Sequence, residues 1–205
     1  MIDICVEVGN NPGIPLSTID GDGVTNADEC LDLTNPLDRC DYDSTSITLP
    51  VIADQSGCPQ PCPDLTPTTT LIPSTIAGNS AIEVAIELSE VNGVDTDGAV
   101  ISVRVPSDPR LQFVWDIALT QAAGIPVQNA DWNYLGNNGV IHNWTYNGSG
   151  LIINGNSTAA LGFQAFYDPQ STDGQTTFTS TVVPFSGGDC NFFDNTDSEQ
   201  LVYFQ

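Results

Sequence analysis

The run Asp20-Gly21-Asp22-Gly23-Val24-Thr25-Asn26-Ala27-Asp28-Glu29 sets oxygen donors at alternating offsets, the arrangement by which a short loop wraps a hard cation. Counted as a calcium loop, Asp20 falls at position 3, Asp22 at 5, the Val24 carbonyl at 7, Asn26 at 9 and Glu29 at 12, with Gly23 at the sharp turn of position 6. Thr18 stands at the first position, where the pattern places an aspartate; its hydroxyl can ligate calcium but brings no charge. Further acids follow at Asp32, Asp38, Asp41 and Asp43. An Asx-rich turn held by its own side-chain to backbone bonds uses the same residue types. The match at five of six offsets favours calcium.

Other chemistry is sparse. His142 is the single histidine, so a site needing two imidazoles is excluded, and its place beside Trp144 and Tyr146 in an alternating run reads as a packed strand residue. Carboxylate pairs are expected by chance in so acidic a chain and do not define the fixed separation that glycoside hydrolysis requires. No phosphate-binding glycine loop and no activated-serine motif occurs. The chain therefore reads as non-enzymatic. Trp115, Trp132 and Trp144 could stack on sugar rings, although a sandwich also needs large apolar fillers. Asn143-Trp-Thr, Asn147-Gly-Ser and Asn156-Ser-Thr match the N-glycosylation pattern, which carries sugar only in a eukaryotic source and otherwise marks polar turns.

The 205 residues carry 26 acids against three arginines, a formal charge of -23. Such a surface repels polyphosphate and anionic lipid, so nucleic acid and the membrane are excluded as partners. A hydrophobic content of 40% is too high for a disordered acidic tail. No apolar run approaches the ~20 residues of a membrane span, and a signal peptide is either absent or outside this stretch. Cys5, Cys30, Cys40, Cys58, Cys62 and Cys190 are even in number and lack histidine neighbours, which points to disulfides and an extracellular setting. Fifteen pairings are open to six cysteines. Cys30–Cys40 would close the calcium segment, Cys58–Cys62 a proline loop, and Cys5–Cys190 would remain.

The elements that must position these groups fall into two parts. Residues 1–63 have few large apolar side chains and would depend on cross-links and metal for stability. The proline-rich Cys58-Pro59-Gln60-Pro61-Cys62-Pro63 is a stiff connection. Residues 64–205 alternate with period two. In Ile82-Glu83-Val84-Ala85-Ile86-Glu87-Leu88 the large aliphatics share one face and the glutamates the other. Comparable runs occur at 101–105, 111–115, 142–146, 161–165 and 178–182, separated by Asn-Gly and Asp-Gly turns. This predicts an all-β immunoglobulin-like β-sandwich preceded by a small calcium- and disulfide-stabilised segment, with Ile82, Val84, Ile86, Ile101, Val103, Phe163 and Phe178 pointing inward. One short helix is expected at 117–123. The apolar tail Leu201–Phe204 is expected to be a terminal strand, closing its own sheet or donated to a neighbour.

These residues carry a resemblance. Asp20–Cys30 with Thr34-Asn-Pro-Leu-Asp38 and Cys40-Asp41 resembles the thrombospondin type 3-like calcium segments of large secreted Bacteroidetes proteins. Pro63–Pro67, Val103–Pro109 and Gly187–Asn195 resemble a repeated immunoglobulin-like module of the same surface adhesins. The resemblance implies calcium at Asp20, Asp22, Asn26 and Glu29, with Asp28, Asp38 and Asp41 in support. It implies a structural or adhesive module at the bacterial cell surface. Its partners would be neighbouring modules of one chain or identical fibre subunits, with a surface glycan bound through the tryptophans as the alternative.

Overall fold

The computed structural model describes residues 62–205. Twelve strands build the described unit: β1 (Leu65–Ile72), β2 (Thr75–Ala77), β3 (Ser80–Glu90), β4 (Ser102–Pro106), β5 (Leu111–Val114), β6 (Gln121–Ala122), β7 (Ile125–Pro126), β8 (Trp132–Asn137), β9 (Ile141–Tyr146), β10 (Thr158–Tyr167), β11 (Gly174–Val182) and β12 (Thr196–Phe204). They form a four-stranded sheet in the order β1-β3-β10-β5, a six-stranded sheet β2-β12-β11-β4-β9-β8, and the small hairpin β6-β7. Every pair is antiparallel except β12 with β2, which is parallel. The unit is an immunoglobulin-like β-sandwich.

Alternation along the strands builds the core. In β3 the inward Ile82, Val84, Ile86 and Leu88 are all essentially inaccessible, and they meet Ile101, Val103, Phe163 and Phe178, so every side chain expected to point inward does so. An aromatic seam of Phe113, Tyr134, Trp144 and Phe163 fills the middle, with Trp144 stacked on Phe163 at 5.9 Å. A buried polar link crosses the sheets where Thr69 Oγ1 and Ser180 Oγ approach to 2.6 Å.

The helix expected at 117–123 does not form. Asp116 turns the chain by accepting from the Ala118 backbone N–H, and the segment continues as the β6-β7 hairpin. That hairpin packs on the outer face of the four-stranded sheet, where Ala85, Ala160 and Gly162 leave room for Ala122, Ala123 and Val127. A Cβ at Gly162 would lie 2.5 Å from the Ala122 Cβ, so only glycine permits this approach. β5 is short and pairs with β10 only over Gln164–Tyr167, leaving the first half of β10 with an open edge. Side-chain amides close it: Gln128 Oε1 accepts from the Ala160 N–H, and Asn129 exchanges two bonds of 2.8 Å with the Gly162 backbone. Buried backbone groups need such partners, which explains why Asn129 is fully buried.

Two chain directions matter for function. β1 and β12 run the same way, because Thr66 and Thr69 face Asp194 and Asp197 while Ser74 and Thr75 lie beside Val202. The chain therefore joins the sandwich at one end, near Cys62, and β12 finishes at the other.

Candidate functional site

Cys62 is bonded to Cys190, with Cα atoms 6.2 Å apart and 128 residues between them in sequence. This overturns the Cys58–Cys62 and Cys5–Cys190 pairings. A proline loop invited a local bond, but the start of β1 lies against the segment that precedes β12, and the Cys190 N–H donates to the Pro63 carbonyl. Closing so long a loop removes denatured-state entropy corresponding to about 5 kcal/mol in the chain-entropy account. Cys5, Cys30, Cys40 and Cys58 lie outside the described residues. So do all the calcium positions: Asp20, Asp22, Val24, Asn26, Asp28, Glu29, Asp38 and Asp41.

Beside the cystine, Glu90 is only 2% exposed, at the end of β3. Its Oε1 accepts from the backbone N–H of Asp64 and Asn92, and its Oε2 from those of Gly93, Val94 and Asn156. One carboxylate thus ties the start of β1, the turn after β3 and the turn before β10. Burial pushes its carboxyl up, but the backbone donors outweigh that and hold it below the usual carboxylate range. Gly155 lies against Gly93 so closely that a Cβ would meet the Gly93 backbone at 2.3 Å. The period-two pattern that turns Glu83 and Glu87 outward carries Glu90 onto the inward face after Leu88, but does not reveal its partners, which come from the start of β1 and two separate turns.

The far end of β12 has its own anchors. Arg110 forms a 2.7 Å ion pair with Asp108, the one ion pair among the described residues, and donates to the Tyr203 hydroxyl. Its guanidinium lies over the Tyr167 and Tyr203 rings at 5.1 and 5.0 Å, within cation–π range. Burial raises the Asp108 carboxyl, and Arg110 more than reverses this, holding it below its ordinary value. An open cleft of about 580 Å³ runs past Pro106, Ser107, Asp108, Arg110 and Thr176. Asp173 accepts from the Gln205 N–H at 2.7 Å, and Gly78 donates to the Phe204 carbonyl.

β12 is held on both edges, by β11 over eight register pairs and by β2 over three. Leu201–Phe204 therefore closes its own sheet, and donation of this strand to a neighbour is set aside. Two of the three tryptophans are the large apolar fillers that a sandwich needs, which withdraws them from sugar stacking. Trp132 and Trp144 have no exposed surface and are core residues, so neither can meet a glycan ring. Trp115 is half-buried and packs 5.9 Å from both Tyr134 and Trp144. His142 is buried, with Nδ1 2.8 Å from the Tyr134 hydroxyl, and burial lowers its pKa, favouring the neutral ring. It fills the aromatic seam as expected. Among the described residues no three His, Cys, Asp or Glu side chains form a metal-holding group, and no helix is long and apolar enough to cross a membrane.

No family model matches the chain, and no curated protein does. Several solved structures show a partial likeness. The CARDB domain of a Pyrococcus furiosus protein, in complex with di-metal ions, is 16% identical with a TM-score of 0.43, over 71% of this chain and 97% of that one. The major pilin subunit of Bacillus cereus is 12% identical with a TM-score of 0.44, over 69% of this chain and 40% of that one. A cohesin module from a Clostridium perfringens family 33 glycoside hydrolase is 9% identical with a TM-score of 0.42, over 68% of this chain and 98% of that one. Likenesses of this degree assign no function.

Proposed function

We propose that this chain is a non-enzymatic extracellular module of a bacterial surface protein or fibre, spacing its neighbours and carrying tension between them, with calcium stiffening its acidic N-terminal part. The observation that carries the reading is the cystine between Cys62 and Cys190 together with the course of β12. Force arriving through residue 62 passes across the disulfide to residue 190, so everything between those two positions is removed from the loaded path. Only residues 190–205 remain extensible. They are mostly β12, which runs away from the cystine and is bonded along its length to β11 and at its end to β2. Both ends of the loaded stretch flank one extended strand, so its covalent backbone carries the tension with little slack to release, and the ladders to β11 and β2 keep it seated. The anchors at Arg110, Tyr203 and Asp173 fasten the strand at the end where a pull from a following segment would arrive.

The acidic surface suits an exposed module that must not adhere to its own copies. The partners in this reading are adjacent modules of the same chain, whose attachment points lie at opposite ends of the sandwich. The test is single-molecule extension of the oxidised chain held through handles at residues 62 and 205. With the cystine intact, residues 190–205 extend to about 50 Å, of which β12 already spans about 30 Å in the fold, so unfolding should release only about 20 Å; after reduction it should release about 450 Å. A release near 450 Å from oxidised protein would defeat the tension-path reading.

A further inference from the structure

Next to the cystine, six side chains assemble a second acidic knot with no cationic partner among the described residues. Asp189 is 1% exposed. Its Oδ1 accepts from the backbone N–H of Leu65 at 3.4 Å and Asn191 at 3.3 Å, and its Oδ2 from the Asn195 amide at 2.6 Å. The Asn191 amide in turn bridges Asp64 Oδ2 at 3.2 Å and Asp194 Oδ2 at 3.0 Å, and Thr66 Oγ1 donates to the same Asp194 oxygen at 3.1 Å. Three enclosed oxygens are left over: Asp64 Oδ1, Asp194 Oδ1 and Asn195 Oδ1. Asp64 is 7% exposed and Asn195 4%, so bulk water does not serve them.

An enclosed carboxylate oxygen without a donor is costly, and a cluster of them without a cation more so. We propose that Asp64 Oδ1, Asp194 Oδ1 and Asn195 Oδ1 bind a calcium ion, with water completing its shell. The donor set is oxygen alone, since the neighbouring Cys190 sulfur is committed to the disulfide. That chemistry disfavours zinc, which takes nitrogen and sulfur. Magnesium gives up its waters reluctantly and demands a near-ideal octahedron, whereas calcium accepts mixed carboxylate, amide and water ligands in flexible geometry, so an enclosed site with an amide ligand favours calcium. Asp189 does not ligate in this arrangement; it holds the Asn195 amide nitrogen and leaves the carbonyl oxygen free for the ion. The site lies in the sandwich and is separate from the loop at Asp20–Glu29. An ion here would fasten the start of β1 to the segment leading into β12, beside the cystine through which tension passes.

The experiment uses the full, oxidised chain stripped of metal by a chelator, in a background carrying Asp20→Asn, Asp22→Asn and Glu29→Gln so that the N-terminal loop contributes nothing. Thermal unfolding of the sandwich is followed through the buried Trp132 and Trp144 while calcium chloride is added. With affinity in the range of extracellular modules, about 0.1–1 mM, a tenfold excess should raise the midpoint by about 5 °C. Asp194→Asn, at a half-buried position, should fold and lose the rise, and Asp64→Asn should lose it too. The inference is overturned if calcium leaves the midpoint unmoved, if both variants keep the full rise, or if magnesium matches calcium. Failure of the N-terminal calcium reading would show separately, as unchanged calcium uptake on introducing the three background substitutions.

Discussion

Glu90 and the Asp64–Asp189–Asp194 group are both buried acidic knots at the cystine end of the sandwich, and they are satisfied in opposite ways. Glu90 faces five backbone N–H groups, converging because tight turns at Asn92-Gly93 and Gly155-Asn156 aim consecutive amides inward. The aspartates share a few donors among themselves and keep two oxygens idle, with a third on Asn195. The carboxyl of Glu90 is accordingly held low and that of Asp189 is raised. A buried acid stabilises a fold when the backbone supplies its donors; where the backbone does not, the charge is a cost that invites a counter-ion.

The sharpest break in this comparison removes what the two knots have in common. Replacing Cys62 and Cys190 by alanine frees the start of β1 from the segment before β12 and should cost about 5 kcal/mol in chemical denaturation. A loss under about 1 kcal/mol would mean that the acidic knots hold this end by themselves. Next in size is Glu90→Gln. Its amide nitrogen would be set against N–H groups that need an acceptor, and about 3 kcal/mol should be lost. Asp194→Asn in calcium-free buffer makes the counterpart: it removes an uncompensated charge and should change stability by less than about 1 kcal/mol in either direction. Equal losses in the two variants would erase the distinction.

Much of the sandwich was legible because its signals are local. Alternation in β3 named Ile82, Val84 and Ile86 as inward, and all three are in the core. Gly93, Gly98 and Gly139 sit at positive φ in turns predicted for them, whereas Gly174 instead opens β11. The missed features depend on residues far apart in sequence. Ile117–Ala123 has helix-forming composition, yet its fate is set by the small-residue face at Ala85, Ala160 and Gly162, which accepts a hairpin. Cys62 has Cys58 four residues away and pairs instead across the sandwich. Trp132 and Trp144 are the core fillers expected of a sandwich, although alternation alone does not tell which face of an aromatic-rich strand is covered. Asp64, Asp189 and Asp194 had no separate motif to mark them, because one comes from the start of β1 and two from the loop before β12.

The smallest predicted effect tests the comparison through its sign. Glu90 has a folded pKa below its ordinary value of 4.5, so its contribution is present above pH 4.5 and is lost as pH falls through the folded value. Asp189 has a folded pKa above its ordinary 3.8, so its contribution is full below pH 3.8 and is lost as pH rises through the folded value. Denaturation of calcium-free protein at steps from about pH 3 to pH 6 should therefore show two opposing slopes. Glu90→Gln should flatten the part of the profile that rises with pH, and Asp189→Asn the part that falls. Slopes of the same sign in the two variants would contradict the contrast between a carboxylate served by five backbone N–H groups and one served by two beside the charge of Asp64. Repeating the series with calcium should weaken the Asp189 limb, because a cation beside Asp64 favours the ionised form, and leave the Glu90 limb where backbone donors set it.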